Sequence, residues 1–183
     1  MISASIFVLS VNRDEAHHFS KTPRDRIRLI AGHGIEGDAH AGATVQHRYL
    51  ARRARTMPNL RQVHLIQSEL FDALTTEGFE VSPGDLGENV TTRGLDLLGL
   101  PLHARLRLGK SAVVVVTGLR TPCGYIDKFR KGLKRQMVMR TPGGPAFRTG
   151  VMGIVAETGD VMPRDAIEIT FPEKPWAPLP ALP

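Results

Sequence analysis

Short β-prone runs broken by glycine and proline occupy most of this chain and limit what it can become. Ile2 to Val11, Ile27 to Ala31, Val90 to Arg93, Arg105 to Gly109, Val113 to Thr117, Val151 to Glu157 and Ala166 to Phe171 each read as a strand. Arg105 to Gly109 alternates leucine with arginine, the period-2 mark of a half-buried strand. Val113 to Thr117 is a continuous β-branched run, as expected of a central strand, and Gly109-Lys110-Ser111 joins the two at hairpin length. Many short strands with few helices predict a mainly β fold built as a closed or partly closed barrel.

Two helices are expected. Ser68 is placed to cap one from Glu69 to Glu77, burying Leu70, Phe71, Ala73 and Leu74, with Gly78 as the stop. After Cys123, apolar residues at Tyr125 or Ile126, Phe129, Leu133 and Met137 recur at helical spacing among lysines and arginines. That pattern predicts one basic amphipathic helix with Thr121 at its cap, Pro122 at its first position and Cys123 at its second. Ser82-Pro83-Gly84-Asp85 and Gly159-Asp160 read as turns. One domain is expected over residues 1–171, followed by a proline-rich tail, 172–183, without periodicity and expected to be extended or disordered.

The chain has 183 residues, 42% hydrophobic and 23% charged, as in ordinary globular proteins. Its longest clean apolar run, Ala112 to Val116, is far below the ~20 residues of a membrane span. The N-terminus shows neither a basic leader nor a cleavage-like site, so a cytoplasmic protein without membrane association is expected. The net charge of +6 is uneven. Arg48, Arg52, Arg53, Arg55 and Arg61 fall between Asp38 and Glu69 with no intervening carboxylate, and Lys128 to Arg140 forms a second basic block. Such patches suit an anionic partner, either a phosphate-bearing cofactor or a nucleic acid. At 5% aromatic residues the chain has few stacking platforms, and nucleic acid ranks behind.

Cys123 is the only cysteine, so it cannot staple the fold. Arg120 and Lys128 flank it, and cations and a helix start both favour a thiolate, which is a soft metal ligand or a sulfur nucleophile. The structural alternative is a buried thiol packed as a small apolar side chain. Asp38 and His40 stand two apart in Gly34-Ile35-Glu36-Gly37-Asp38-Ala39-His40-Ala41-Gly42, either facing a ligand together or forming a tight loop in which Asp38 caps its own backbone. His33, His40 and His47 recur every seven residues, but the spacing is not that of a zinc site. Neither GxxxxGK[ST] nor GxSxG occurs.

Taken in order, Gly34 to Gly42, Arg61-Gln62-Val63-His64-Leu65-Ile66, Pro83-Gly84-Asp85-Leu86-Gly87-Glu88-Asn89 and Thr117 to Cys123, with a weaker match from Gly150 to Ile169, resemble the MOSC family, named for the C-terminal domain of molybdenum cofactor sulfurases. The resemblance implies a β-rich barrel related to the small β-barrel domain of pyruvate kinase, here as a single-domain type. It implies a molybdopterin-type molybdenum cofactor, with Cys123 as catalytic residue and molybdenum ligand. Gly37, Asp38, His40, Asn89, Arg120 and Thr121 are then the cofactor-binding candidates. The implied activity is an oxidoreductase that reduces N-hydroxylated small molecules, with electrons from a separate donor protein. The alternative within the family is a sulfur carrier that receives persulfide from a cysteine desulfurase. No pyridoxal phosphate, flavin or iron–sulfur site is expected in this chain. It departs from the family where the closing turn, usually Gly-Asp, reads Pro163-Arg164-Asp165.

Overall fold

The computed structural model describes residues 5–46, 56–141 and 144–182. Arg48, Arg52, Arg53, Arg55 and His47 lie outside the described residues. The strands are β1 (Phe7–Arg13), β2 (Thr22–Arg24), β3 (Ile27–Ile30), β4 (Gly34–Ile35), β5 (Val63–Gln67), β6 (Val90–Arg93), β7 (Arg105–Leu108), β8 (Ala112–Arg120), β9 (Val138–Thr141), β10 (Gly144–Phe147), β11 (Val151–Glu157), β12 (Gly159–Val161), β13 (Ile167–Thr170) and β14 (Ala181–Leu182). The helices are α1 (Glu69–Thr76), α2 (Tyr125–Phe129) and α3 (Leu133–Gln136).

The main sheet runs β13-β7-β8-β11-β5-β6-β1-β2, with β14 added to β8. Its two sides approach each other where the Val8 amide donates to the Asp165 carbonyl, the Arg164 amide to Val8 and the Ile167 amide to Ile6. Only the isolated bridge Phe7–Ala166 forms there, so the barrel is partly closed, as the strand count predicts. Arg164 holds φ +75° in this turn, a conformation that glycine adopts more easily. The turn that departed from the family resemblance thus carries an arginine in a left-handed conformation.

The predicted strand pattern is realised closely. β7 buries Leu106 and Leu108 and exposes its arginines, and β8 is buried on both faces over most of its length. Inside the barrel, Val8, Leu65, Val90, Leu106, Val114, Val116 and Val151 form one apolar cluster. A second cluster, Ile66, Leu70, Leu74, Leu86, Ile126, Leu133 and Met137, lies outside the sheet beneath the helices.

Three local expectations differ from the structure, and the tail adds a contact that was not expected. Gly159-Asp160 is part of a strand, β12, that pairs with β3, because it continues the chain from β11 onto a small second sheet. Ser68 stands at the cap of α1 without a side-chain hydrogen bond there, and its Oγ instead accepts from Arg93. The basic amphipathic helix is two short helices. Arg130 is extended and Gly132 takes φ +86°, which breaks the helical path despite the matching periodicity. Finally, the proline-rich tail is extended and docked: β14 pairs in parallel with β8, and the Leu119 amide donates to Pro180. Among the described residues, no helix is long and apolar enough to cross a membrane.

Candidate functional site

The end of β8 sets the position of Cys123. Arg120 donates its backbone N–H to Gly150, and its carbonyl accepts from the Thr149 hydroxyl. The chain then leaves the sheet through Thr121, whose hydroxyl donates to Leu182, and Pro122, which has no amide to donate. Cys123 follows, partly exposed, with its inner side against the second apolar cluster beside Phe19, Phe79 and Phe129. Gly124, not Thr121, occupies the cap of α2, so Thr121, Pro122 and Cys123 all precede the helix. A five-residue helix that starts beyond the sulfur contributes little field. The charge at the sulfur comes from Arg120.

Arg120 places Nη2 4.0 Å from Cys123 Sγ while Nη1 donates to the Leu86 carbonyl at 3.1 Å. Its guanidinium also lies 6.0 Å from the centre of the Phe19 ring. Burial pulls its pKa below the usual guanidinium value, and the charges of Cys123 and Glu88 oppose that shift. Lys128, the other expected cation, holds its ammonium over the Tyr125 ring at 4.8 Å.

Behind Arg120 lies a set of groups withdrawn from water. Arg61 is pulled down to about 10 by burial and by the Arg120 charge, and its buried Nη2 has no hydrogen-bond partner among the described residues. His64 donates Nε2–H to the Thr149 carbonyl at 2.7 Å. Burial, helped by Arg120, holds its pKa well below the ordinary imidazole value, so it is neutral. Glu88 is fully buried. Its Oε1 accepts from the Gly84 amide and the Thr91 hydroxyl, while Oε2 has no partner among the described residues. Burial pushes its pKa up to about 7 against those hydrogen bonds and the Arg120 charge.

A third group joins the glycine loop to this set. Asp38 Oδ2 meets the Lys21 ammonium at 2.5 Å and accepts from Asn89 Nδ2 at 3.0 Å. Asp38 Oδ1 accepts from the His40 amide and lies 3.4 Å from His40 Nδ1. Burial pushes the Asp38 pKa up, but His40 and Lys21 outweigh it and hold the carboxyl below its usual range. Burial likewise pulls Lys21 down while Asp38 pushes it back. Asn89 Oδ1 accepts from the His64 amide, which ties this group to β5. Gly37 has φ +70° with the Arg13 guanidinium against it.

The structure therefore brings Cys123 and Arg120 together, and separately Asp38, His40 and Asn89. In the second group Asp38 does cap its own loop, the purely structural alternative, and also pairs with Lys21. Sequence reasoning assigned no role to Lys21, His64 or Glu88. Glu88 and His64 lie inside stretches that carried the family resemblance, but Lys21 had no local signal because its partner is 17 residues away. Among the described residues, no three His, Cys, Asp or Glu side chains group as a metal site. The sulfur would be a single protein ligand.

The model of the MOSC domain matches residues 15–168. The fold is similar to that of the YUAD protein from Bacillus subtilis, at 24% identity over 93% of this chain and 98% of that one, with a TM-score of 0.72. It is also similar to YiiM from Geobacillus stearothermophilus, at 18% identity over 90% of this chain and 75% of that one, TM-score 0.64. YiiM from Escherichia coli matches at 19% identity over 95% of this chain and 73% of that one, TM-score 0.64. A comparison with curated proteins finds no match.

Proposed function

Because the chain belongs to the MOSC domain family, a family associated with the molybdenum cofactor, we propose that it holds a molybdenum–pterin cofactor with Cys123 as the metal's protein ligand and reduces N-hydroxylated small molecules. The observation that carries this reading is the approach of Arg120 Nη2 to the partly exposed Cys123 sulfur at 4.0 Å.

The residues fit such a group. A soft sulfur is a suitable ligand for a transition metal. A buried guanidinium nitrogen without a partner among the described residues, on Arg61, beside a second desolvated guanidinium, on Arg120, is costly unless an anion joins them. The cofactor's phosphate supplies such an anion, and a guanidinium binds phosphate in a fork geometry. Glu88, titrating near 7, is only a partial counter-charge at neutral pH, and neutral His64 adds no cation.

When bound, the cofactor supplies two-electron redox chemistry. In the net reaction the substrate N–O bond breaks, two electrons and two protons enter, and water leaves. The electrons come from a separate electron-donor protein. Cys123 anchors, and Arg61 and Arg120 neutralise and orient. Asp38, Asn89 and Lys21 form the frame behind them, leaving His40, with its partly exposed ring, as the member of that group able to face a ligand. Thr121 spends its hydroxyl on Leu182 and positions the Cys123 segment.

The test is metal analysis of protein made in cells that synthesise the cofactor. Molybdenum is expected in the unaltered chain, lost in Cys123→Ser and reduced in Arg61→Gln. No molybdenum, or equal amounts in Cys123→Ser, overturns the reading.

A partly exposed lone sulfur beside a cation also suits the sulfur-carrier reading. There a desulfurase persulfide passes its outer sulfur to the Cys123 thiolate and leaves as a thiolate. With no second cysteine in the chain, such a persulfide has no internal thiol to resolve it. Mass spectrometry after incubation with a cysteine desulfurase and cysteine should then show one added sulfur on Cys123. No adduct on a chain that retains molybdenum removes this second reading.

A further inference from the structure

Between Lys128 and Ala156 the chain carries no carboxylate, and the first half of that stretch holds Lys128, Arg130, Lys131, Lys134, Arg135 and Arg140. The fold gathers these cations on one outer face. Ile126, Leu133 and Met137 are wholly buried in the second apolar cluster, so α2, α3 and β9 turn their charged side chains outward. Five of the six cations are exposed and Lys134 is half-buried. None of them forms an ion pair among the described residues. The neighbouring carboxylates are engaged elsewhere. Asp127 accepts the Lys134 amide, Glu77 pairs with Arg148, and Asp14 is hydrogen-bonded to His18. Like charges crowded on one face repel one another, and an anionic partner relieves that repulsion.

The character of the face selects the kind of anion. Next to the cations β9 leaves Val138 36% and Met139 41% exposed, and Arg135 and Arg140 flank them in sequence. Apolar side chains with a charged surround have the layout of a protein interface, where methionine and arginine are enriched. Nucleic acid suits the face less well. Its phosphates gain nothing from Val138 and Met139, and Lys128 and Arg130 lie over the Tyr125 and Phe129 rings on which bases would stack, at 4.8 and 5.3 Å. A membrane also suits it less well, because both helices turn their apolar sides into the protein and leave none to enter lipid.

We propose that the face formed by α2, α3 and β9 docks an acidic protein, its carboxylates on the six cations and an apolar residue on Val138 and Met139. The face borders the sulfur: α2 starts just past Cys123, whose carbonyl accepts the Ile126 amide. With two apolar side chains at its centre, the contact is transient and steered by charge. As the ground from which a second protein delivers electrons or sulfur to Cys123, the face rests on the reading of Cys123 above. As a docking surface it is tested without the metal.

The test titrates the full chain with two labelled synthetic peptides of glutamate and glycine, one with a central leucine and the other with serine in its place. Fluorescence anisotropy at low salt should show saturable binding of the leucine peptide, weaker binding of the serine peptide and a steep loss as salt is added. Lys131→Glu turns an attraction into a repulsion and should weaken binding about threefold or more. Met139→Ser should erase the preference for leucine. Lys110→Glu makes the same change of charge at the β7–β8 hairpin, at the other end of β8 from the Cys123 segment, and should leave binding near the parent value. Lys131, Met139 and Lys110 are all exposed, so these substitutions leave the apolar interior intact. No saturable binding, equal binding of the two peptides, or equal weakening by Lys131→Glu and Lys110→Glu overturns the proposal. Tighter binding of a single-stranded DNA of equal charge, or of phosphatidylserine vesicles, overturns it as well. Molybdenum held through Cys123 without peptide binding removes the docking face and leaves the cofactor reading standing. Peptide binding without molybdenum supports the face and removes the cofactor reading.

Discussion

The Lys21 ammonium stands 2.5 Å from the Asp38 carboxylate, with only 4% and 2% of the two side chains exposed. Together with the Asn89 amide, this pair joins the N-terminal segment, the glycine loop and the start of β6. Removing one partner strands the other charge out of water. Lys21→Met should therefore cost about 3–5 kcal/mol of stability, read as a lowered urea midpoint. A loss below about 1 kcal/mol would mean that Asp38 is satisfied without Lys21.

Asp38 is held below the ordinary carboxylate range when folded, so its contribution is complete above its unfolded pKa and fades as pH falls toward the folded one. Glu88 has the opposite sign. Its folded pKa is raised to about 7 from 4.5, so the unfolded chain releases its proton first as pH rises. The Glu88 contribution should decline between about pH 4.5 and 7, by up to ~3 kcal/mol, then level off, while buried neutral His64 contributes with the opposite sign below about pH 6.5. Glu88→Gln, which keeps an acceptor for the Gly84 amide, should flatten that decline and be more stable than the parent at pH 8. Urea midpoints at pH 5 and 8 decide it, and an equal decline in both proteins rules out Glu88 as the source.

Arg120 places a cation beside the Cys123 sulfur, and the reactive form of a thiol is its thiolate. Replacing that cation, as in Arg120→Gln, should slow alkylation of Cys123 by iodoacetamide. Lys128→Gln, whose charge sits over Tyr125, should change the rate little. Equal slowing by both would show a diffuse surface potential in place of a local contact.

Gly84 turns at φ +91°, and a Cβ there would overlap the Lys21 carbonyl oxygen and crowd Asn12. The Gly84 amide also donates to Glu88, and its carbonyl accepts from the Lys21 amide. Gly84→Ala combines a disfavoured backbone angle with a backbone overlap, and should cost more than about 2 kcal/mol. Gly78→Ala is the control: its φ is also positive, +85°, but a Cβ there meets open space. It should cost about 1 kcal/mol. Thermal unfolding of both variants separates the overlap from the angle.

Burial of strands with period-2 or continuous apolar pattern depends on local sequence, and β6, β7, β8 and β11 were legible for that reason. So were α1 and the turn at Ser82–Asp85. The two-part helix after Cys123 was not, because helical spacing continues through Gly132 while the backbone there does not. The docked tail was equally hidden: its pairing with β8 is a long-range hydrogen-bond ladder, and prolines signal only that no helix forms.

The sequence by itself determined that the fold is mainly β and singled out one sulfur with an arginine three residues before it, since both follow from residue type and order. Tertiary structure decided which charges matter. It put Lys21 on Asp38, Arg61 within the field of Arg120, Lys128 over Tyr125 and Glu88 out of water. Electrostatic strength depends on distance and on exclusion of water, and neither is written in the order of residues along a chain.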